Sequence, residues 1–381
     1  MSAPALRLTR LTLSHFRNYP TLTWRPGARI LVLSGANGSG KTNLLEAVSL
    51  LVPGRGLRGA RIADLAAHGS AEWAVAGRFA TPGGEIDIGT GTPPGGPPDR
   101  RVFRLDGAAP RSQAALSAHV AAVWLTPQMD RLFQEGAAGR RRFLDRLVFA
   151  LEPGHAGEVA AHDTAMASRN RLLGGGGADA AWLAGLEDAM ARHGVAVTAA
   201  RLALARRLNA ALATGAAAPF PVALLGLRCP IAERLGAGPA LDAEEWLRRS
   251  LAAGRTRDAA AGSAATGAHR ADMTLADAAS LQPAGQASTG QQKALLIGVV
   301  LGHAALLAEA RGFAPLLLLD EPAVHLDAAR RAALFAALAR LPAQALLTGT
   351  DAEVFQPLAG RAEFWQVADN TLARAAEAAP E

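Results

Sequence analysis

The chain has 381 residues, half of them hydrophobic and 19% charged, with 40 Gly and 22 Pro. That composition excludes a disordered polyelectrolyte and collagen-like or linker material, and the length predicts two domains or one domain carrying a large insertion. A formal net charge of +6 favours a polyanionic partner such as nucleic acid.

From the N-terminus onward, Arg or polar residues break each short apolar run, so no signal peptide is expected. The longest apolar stretch, Ala294 to Leu307, is shorter than the ~18 to 20 residues of a membrane helix. Cys229 is the single cysteine and can form no internal disulfide, and no Cys/His spacing suits structural zinc. A reducing, cytoplasmic setting is the expectation.

Arg29 to Ser34 reads as a short buried strand, and Asn43 to Leu51 has helical spacing. Between them lies Gly35-Ala36-Asn37-Gly38-Ser39-Gly40-Lys41-Thr42, a phosphate-binding loop by pattern and context. Its glycines let backbone N–H groups wrap an anion at a helix N-terminus. Lys41 can then reach the β and γ phosphates of a nucleotide and Thr42 can ligate Mg²⁺. Of the 39 basic residues only Lys41 and Lys293 are lysines; where nearly every cation is Arg, a lysine hints at a site that needs a compact ammonium.

Further along, Glu72 to Arg111 alternates apolar and polar residues around a Gly/Pro-rich turn, Gly89 to Pro98, which predicts a hairpin or short antiparallel sheet. From Arg140 to Leu251 the pattern is helical. Phe143, Leu144, Leu147 and Val148 form one apolar stripe, and Trp182, Leu183, Leu186, Met190, Val197, Leu204 and Leu208 form another. These are seams or core, separated by a flexible break at Gly174 to Gly177.

Ser288 and Gly290 precede the apolar helix Ala294 to Ala308 and offer a second anion-binding corner. The plain alternative is an ordinary helix cap. Leu316 to Leu319 reads as a parallel strand buried on both faces, ending in Asp320-Glu321. There Asp320 would hold Mg²⁺ and Glu321 would orient or activate an attacking water, completing a catalytic set with Lys41. The sequence around Ser288, Gly290 and Gln291 resembles the signature loop of ABC-type ATPases, which closes over the nucleotide of a partner subunit. In such proteins the D-loop would fall at Asp327 and the switch residue at Thr348 or Thr350, where transporters usually carry His. The Ala-rich tail, Ala373 to Glu381, reads as loose.

Most of the chain separates Thr42 from Asp320, so the head is discontinuous. The expected class is α/β: an ABC-type P-loop ATPase head, with a mixed sheet flanked by helices and an antiparallel β subdomain, spanning 1–125 and 262–381. An α-helical arm, 126–261, is inserted into it.

Phe16-Arg17-Asn18-Tyr19, the Asn43 to Ala47 sequence after the P-loop, Arg140 to Asp145, Ser288 to Lys293, and Gly267 to Asp272, which keeps four of six residues of G-P-H-R-D-D, form a series. Together they resemble the RecF family of bacterial recombination and repair ATPases, relatives of SMC and Rad50 heads. The resemblance implies ATP and Mg²⁺ as cofactors and an ATP-dependent homodimer on single-stranded, double-stranded or gapped DNA. It implies slow, DNA-dependent hydrolysis that releases the clamp, action with RecO and RecR to direct RecA onto gaps, a part in SOS induction, and no membrane. Gln128 would be the Q-loop residue. Arg140, Arg141, Arg142 and Arg146 are candidate DNA contacts, as are Arg206, Arg207, Arg248 and Arg249. Three departures stand out: Glu321 where the family often has Asp, Val324 and His325 in place of the D-loop Ser and Glu, and Pro127-Gln128-Met129-Asp130 where the family usually has Pro-Glu-Asp. Other readings fit less well. A transporter subunit would carry the switch His, a Rad50-like tether would need hundreds of residues of heptads, and a P-loop kinase or GTPase would lack the Ser288 loop.

Overall fold

The computed structural model describes residues 6–175 and 179–375. The chain divides into two compact units, one of Met1–Asp130, Gly215–Val222 and Ser288–Glu381, the other of Arg131–Thr214 and Ala223–Ala287.

In the first unit the described strands form a six-stranded sheet in the order Thr371–Arg374, Ala362–Ala368, Ile30–Ser34, Ala345–Gly349, Leu316–Leu319, Ala122–Leu125. Every pairing is parallel except that of Thr371–Arg374 with Ala362–Ala368. The four apolar runs at 30–34, 122–125, 316–319 and 345–349 are buried along their whole lengths. That is why they read as continuous hydrophobics rather than alternating strands. Helix Lys41–Leu50 packs on Leu316–Leu319 and Ala345–Gly349, and helix Thr289–Arg311 on Ala122–Leu125. The latter is long and apolar enough to cross a membrane, more than the interrupted stretch Ala294 to Leu307 suggested, but 78% of its most apolar window is buried inside the protein.

A second sheet in this unit is antiparallel, in the order Tyr19–Trp24, Arg7–Phe16, Ala74–Thr81, Gly84–Gly91, Val102–Leu105. It contains the expected hairpin, but the tight turn falls between Thr81 and Gly84, and Gly89 and Gly91 lie within a strand. Gly91 is there for close approach: a Cβ on it would lie 2.3 Å from the Trp73 carbonyl oxygen.

The second unit contains the helices Ala137–Leu151, His155–Gly174, Ala180–Ala213, Pro230–Ala237, Ala240–Ala253 and Arg255–Ala261. It also holds a two-stranded antiparallel ribbon, Ala223–Arg228 with Asp272–Asp277. The arm is therefore not purely helical, and residues 262–287 cluster with it rather than with the head. The cause is the ribbon, whose second strand comes from that segment, reinforced by the two-pronged ion pair of Arg140 with Asp272 at 2.7 and 3.1 Å. Conversely, Gly215–Val222 returns to the first unit.

The stripe residues Phe143, Leu144, Leu147, Val148, Leu183, Met190, Val197, Leu204 and Leu208 are buried as expected, whereas Trp182, in the first turn of its helix, is 61% exposed. Polar core pairs accompany the apolar ones. The buried Arg169 donates to Glu187 at 3.0 Å, Asp258 at 2.9 Å and the Leu251 carbonyl at 2.6 Å. Arg201 grips Asp145 with both prongs, at 2.7 and 2.8 Å. Of the tail expected to be loose, Ala373 and Arg374 belong to a strand and 376–381 lie outside the described residues; so do Gly176 and Gly177 of the glycine break, while Gly174 ends a helix.

Candidate functional site

Strand Ile30–Ser34 delivers the chain into the glycine loop, and the helix that follows starts at Lys41 with Gly40 as its N-cap. Gly35 and Gly40 take φ values of 155° and 105°. Neither position has room for a side chain. A Cβ on Gly35 would lie 2.3 Å from the Val367 carbonyl oxygen, and one on Gly40 would lie 2.5 Å from Asn18 Nδ2. With those turns made, the loop Gly35-Ala36-Asn37-Gly38-Ser39-Gly40 ends at free N–H groups and the positive end of a helix. Lys41, 4% exposed, folds its ammonium across the loop, donating to the carbonyls of Gly35 at 2.7 Å and Ala36 at 2.8 Å. Burial pushes its pKa down, and the charges of Glu321 and Asp320 oppose that shift.

Asp320 stands at the C-terminal end of Leu316–Leu319, the edge where parallel sheets present ligand groups. Its Oδ1 accepts from Thr42 Oγ1 at 2.9 Å and from Thr348 Oγ1 at 2.7 Å. Thr348 is fully buried, and its hydroxyl also accepts from the Glu321 N–H at 2.9 Å. The P-loop helix and the strands at 316–319 and 345–349 thus meet through three side chains. The convergence of Thr42 Oγ1 and Asp320 Oδ1, both hard oxygen donors, fits the coordination preference of Mg²⁺.

Glu321 follows in the left-handed region, with φ 48°, and is half-buried. Its carbonyl accepts from Lys293 Nζ at 3.2 Å, and the same ammonium donates to Asp130 Oδ2 at 3.2 Å. Burial pushes the Lys293 pKa down, with Asp130 as the chief opposing influence.

Ser288 is the N-cap of helix Thr289–Arg311 in a reciprocal capping box: its hydroxyl accepts from the Gln291 N–H at 3.3 Å, and its own N–H donates to Gln291 Oε1 at 2.9 Å. Ser288 and Gln291 are exposed. Gly290 packs closely against the next motif, since a Cβ on it would lie 3.1 Å from both Arg330 Nη1 and the His325 carbonyl oxygen. Asp327 caps helix Ala328–Arg340, accepting from the Arg330 N–H at 2.8 Å and Arg330 Nη1 at 3.0 Å.

Not every candidate joins this constellation. Thr350 is exposed just past its strand, and Gln128 is exposed in the turn Pro127–Arg131. Asp130, two positions on, is the residue of that turn that enters the network through Lys293. Sequence reasoning also missed Glu46 and Arg58. Glu46 is buried on the P-loop helix and takes both prongs of Arg17, each at 2.9 Å, and one of Arg58 at 3.0 Å. Its signal was a lone acid on an apolar helix face. Asn43 donates to Asn18 Oδ1 at 2.6 Å, so the Phe16-Arg17-Asn18-Tyr19 turn is braced against that same helix.

The arginine clusters divide similarly. Arg140 is spent on Asp272, and Arg141 donates to the Ala271 carbonyl at 2.9 Å, whereas Arg142 is exposed. Arg206 and Arg207 are exposed, while Arg248 and Arg249 pair with Asp188 and Glu245. His269 Nε2 and the Arg270 guanidinium share the Ala264 carbonyl, an internal role in the second unit.

No protein-family model matches the chain. It is 48% identical over 372 residues to the DNA replication and repair protein RecF of Mesorhizobium japonicum, covering 96% of this chain and 97% of that protein. It is 47% identical over 370 residues to RecF of Brucella suis, covering 96% and 95%. Among solved structures, a recombination mediator protein RecF of the RecFOR pathway superposes with TM-score 0.84 at 21% identity, covering 98% of this chain and all of that one. A RecF–ATP structure gives 0.81 at 21% identity, covering 98% of each chain. An SMC head bound to the C-terminal winged-helix domain of ScpA gives 0.53 at 14% identity, covering 97% and 96%. On sequence identity across nearly its whole length, the chain belongs to the RecF family of DNA replication and repair proteins, and it has the fold of that family and of SMC heads.

Proposed function

We propose that this protein is an ATP-dependent DNA-binding protein of recombinational repair. The observation that carries the reading is the convergence of Thr42, Asp320 and Thr348 beside the P-loop, with the Ser288 loop and Asp327 on the same unit. It is supported by the names of the 48% and 47% identical relatives and by the solved RecF–ATP structure.

Residues 35–42 would hold the phosphates of ATP through backbone N–H groups and the helix N-terminus. Lys41 would exchange the Gly35 and Ala36 carbonyls for phosphate oxygens. Thr42 and Asp320 would hold Mg²⁺, which when bound supplies charge neutralisation at the phosphates. Glu321 would orient the attacking water and take up its proton. Thr348 keeps the Asp320 carboxylate and the Glu321 peptide in register. From a second copy, Gly290 and Gln291 would approach the γ phosphate, and Ser288 would donate to it the one hydrogen its hydroxyl still has while that hydroxyl accepts from Gln291. ATP thereby shifts a monomer–dimer equilibrium. The dimer would hold single-stranded, double-stranded or gapped DNA against exposed arginines such as Arg142, act with RecO and RecR to place RecA at gaps, and let go on slow hydrolysis. The setting is cytoplasmic, with induction of the SOS response as a downstream consequence.

The test is the anisotropy of a labelled gapped duplex titrated with protein, with and without ATP and Mg²⁺, for wild type and Ser288→Arg. ATP should tighten DNA binding in wild type and not in the variant. DNA binding that ignores both ATP and the substitution would refute the clamp.

A further inference from the structure

Glu321 is held in an uncommon backbone conformation, left-handed for a residue with a long side chain. Two groups from other elements fix its peptides. On its N–H side the acceptor is Thr348 Oγ1 at 2.9 Å, and on its carbonyl side the donor is Lys293 Nζ at 3.2 Å. The first belongs to the constellation around Asp320. The second comes from the helix that begins at the Ser288 cap, and Lys293 sits about 7.5 Å along the axis from Ser288 at 1.5 Å per residue.

Lys293 is 1% exposed, a rare situation for lysine unless its charge is matched. Asp130 supplies the match at 3.2 Å, and Asp130 lies in the turn following strand Ala122–Leu125. One ammonium therefore joins the Ser288 helix, the turn after 122–125 and the peptide of the acid at the end of 316–319. An arginine, the chain's default cation, is planar and bulkier and suits this buried point contact less well.

We propose that Lys293 is a positioning residue that ties the seating of the Glu321 carboxylate to the position of the helix starting at Ser288. Hydrolysis, rather than ATP binding, then responds to whether that loop is engaged by a second copy of the chain. This rests on the reading of Glu321 as the water-orienting acid. Displacement of the Ser288 helix moves the Lys293 ammonium, releases the Glu321 carbonyl, and lets the φ/ψ of Glu321 relax so that its side chain leaves the line of attack. Lys41 and the loop 35–42 are untouched by that motion, so affinity for ATP persists while turnover falls.

The experiment compares the full-length wild type with Lys293→Met, the double variant Lys293→Met/Asp130→Asn and Glu321→Gln. For each, single-turnover ATP hydrolysis and the Kd for a fluorescent ATP analogue are measured. Lys293→Met is expected to slow hydrolysis by about tenfold or more, with Kd within about threefold of wild type. Because Lys293→Met leaves Asp130 as an unmatched, largely buried charge, the double variant removes that charge and keeps the fold. It should hydrolyse as slowly as Lys293→Met. Recovery of the wild-type rate in the double variant would mean that Lys293 only balances Asp130, and the proposal fails. It also fails if Kd and rate fall in parallel, or if Lys293→Met hydrolyses at the wild-type rate while Glu321→Gln does not. A wild-type rate in Glu321→Gln instead overturns the assignment of Glu321 itself, a distinct result that removes the basis for the proposal.

Discussion

Thr348→Val is the most informative single substitution in the first unit. The side chain is fully buried, and valine replaces its hydroxyl with a methyl at nearly equal volume, so packing is preserved. Two hydrogen bonds disappear. The one to the Asp320 carboxylate is charge-assisted and worth ~1.5 to 3 kcal/mol, and the Glu321 N–H, left without its acceptor, costs ~1 to 3 kcal/mol. The added methyl offsets ~0.8 kcal/mol. The two bonds share one oxygen and are not additive, so a net loss of ~2 to 4 kcal/mol is the working figure. Since both lost bonds lie at Asp320 and Glu321 rather than within the P-loop, that loss should appear in the hydrolytic step as a slowing on the order of 30- to 1000-fold, with ATP affinity little changed. Single-turnover hydrolysis beside a fluorescent-nucleotide titration measures both. Thr348→Ser, which keeps the hydroxyl, should stay within a few-fold of wild type, and Thr350→Val, outside the network, should be silent. Wild-type turnover in Thr348→Val, or a larger defect from Thr350→Val, would refute the assignment of Thr348 as the relay between Asp320 and Glu321.

Other perturbations separate the roles of the charged residues. Arg169→Met takes from the buried Asp258 its closest cation and leaves the buried Glu187 with Arg255 alone, and should destabilise the second unit by ~3 to 5 kcal/mol, seen in chemical denaturation, with ATP affinity unchanged. Arg140→Ala should likewise lower stability through loss of its Asp272 pair, whereas Arg142→Ala should leave stability alone and reduce the salt slope of DNA binding by about one. Burial lowers the pKa of His269 to about 4 and also depresses that of His162, so both rings are neutral in the fold near pH 7. The unfolded chain, with His near ~6.5, takes up protons first as pH falls, so stability declines from about pH 6.5 toward pH 4, by ~2 kcal/mol for His269 after allowing for its partial exposure. Denaturant midpoints across that window should fall in wild type and flatten in His269→Gln.

Legibility from sequence followed the range of the interactions. The P-loop was readable because its parts are contiguous: glycines at the turns, lysine at the helix start, and a strand before it. Asp320 was readable because a fully buried parallel strand leaves an unbroken apolar run with polar residues at its end. Lys293, Asp130 and Glu46 could not be placed this way, since each acts through partners brought close only by sheet order. The strand 345–349 lies between 30–34 and 316–319, and that order sets Thr348 rather than Thr350 beside Asp320. A strand alternates its faces, so two hydroxyls two residues apart share a side and sequence alone cannot choose between them; the parallel register, which ends at Gly349 opposite Ser34, makes the choice by leaving Thr350 beyond the sheet. The arginines show the converse. Three adjacent cations read as one basic patch, but on a helix they point in different directions, and Asp272 at the start of the antiparallel ribbon and the Ala271 carbonyl just before it claim two of them for internal contacts before any phosphate can. Net charge therefore favours a polyanionic partner, while only the exposed arginines are free to meet it.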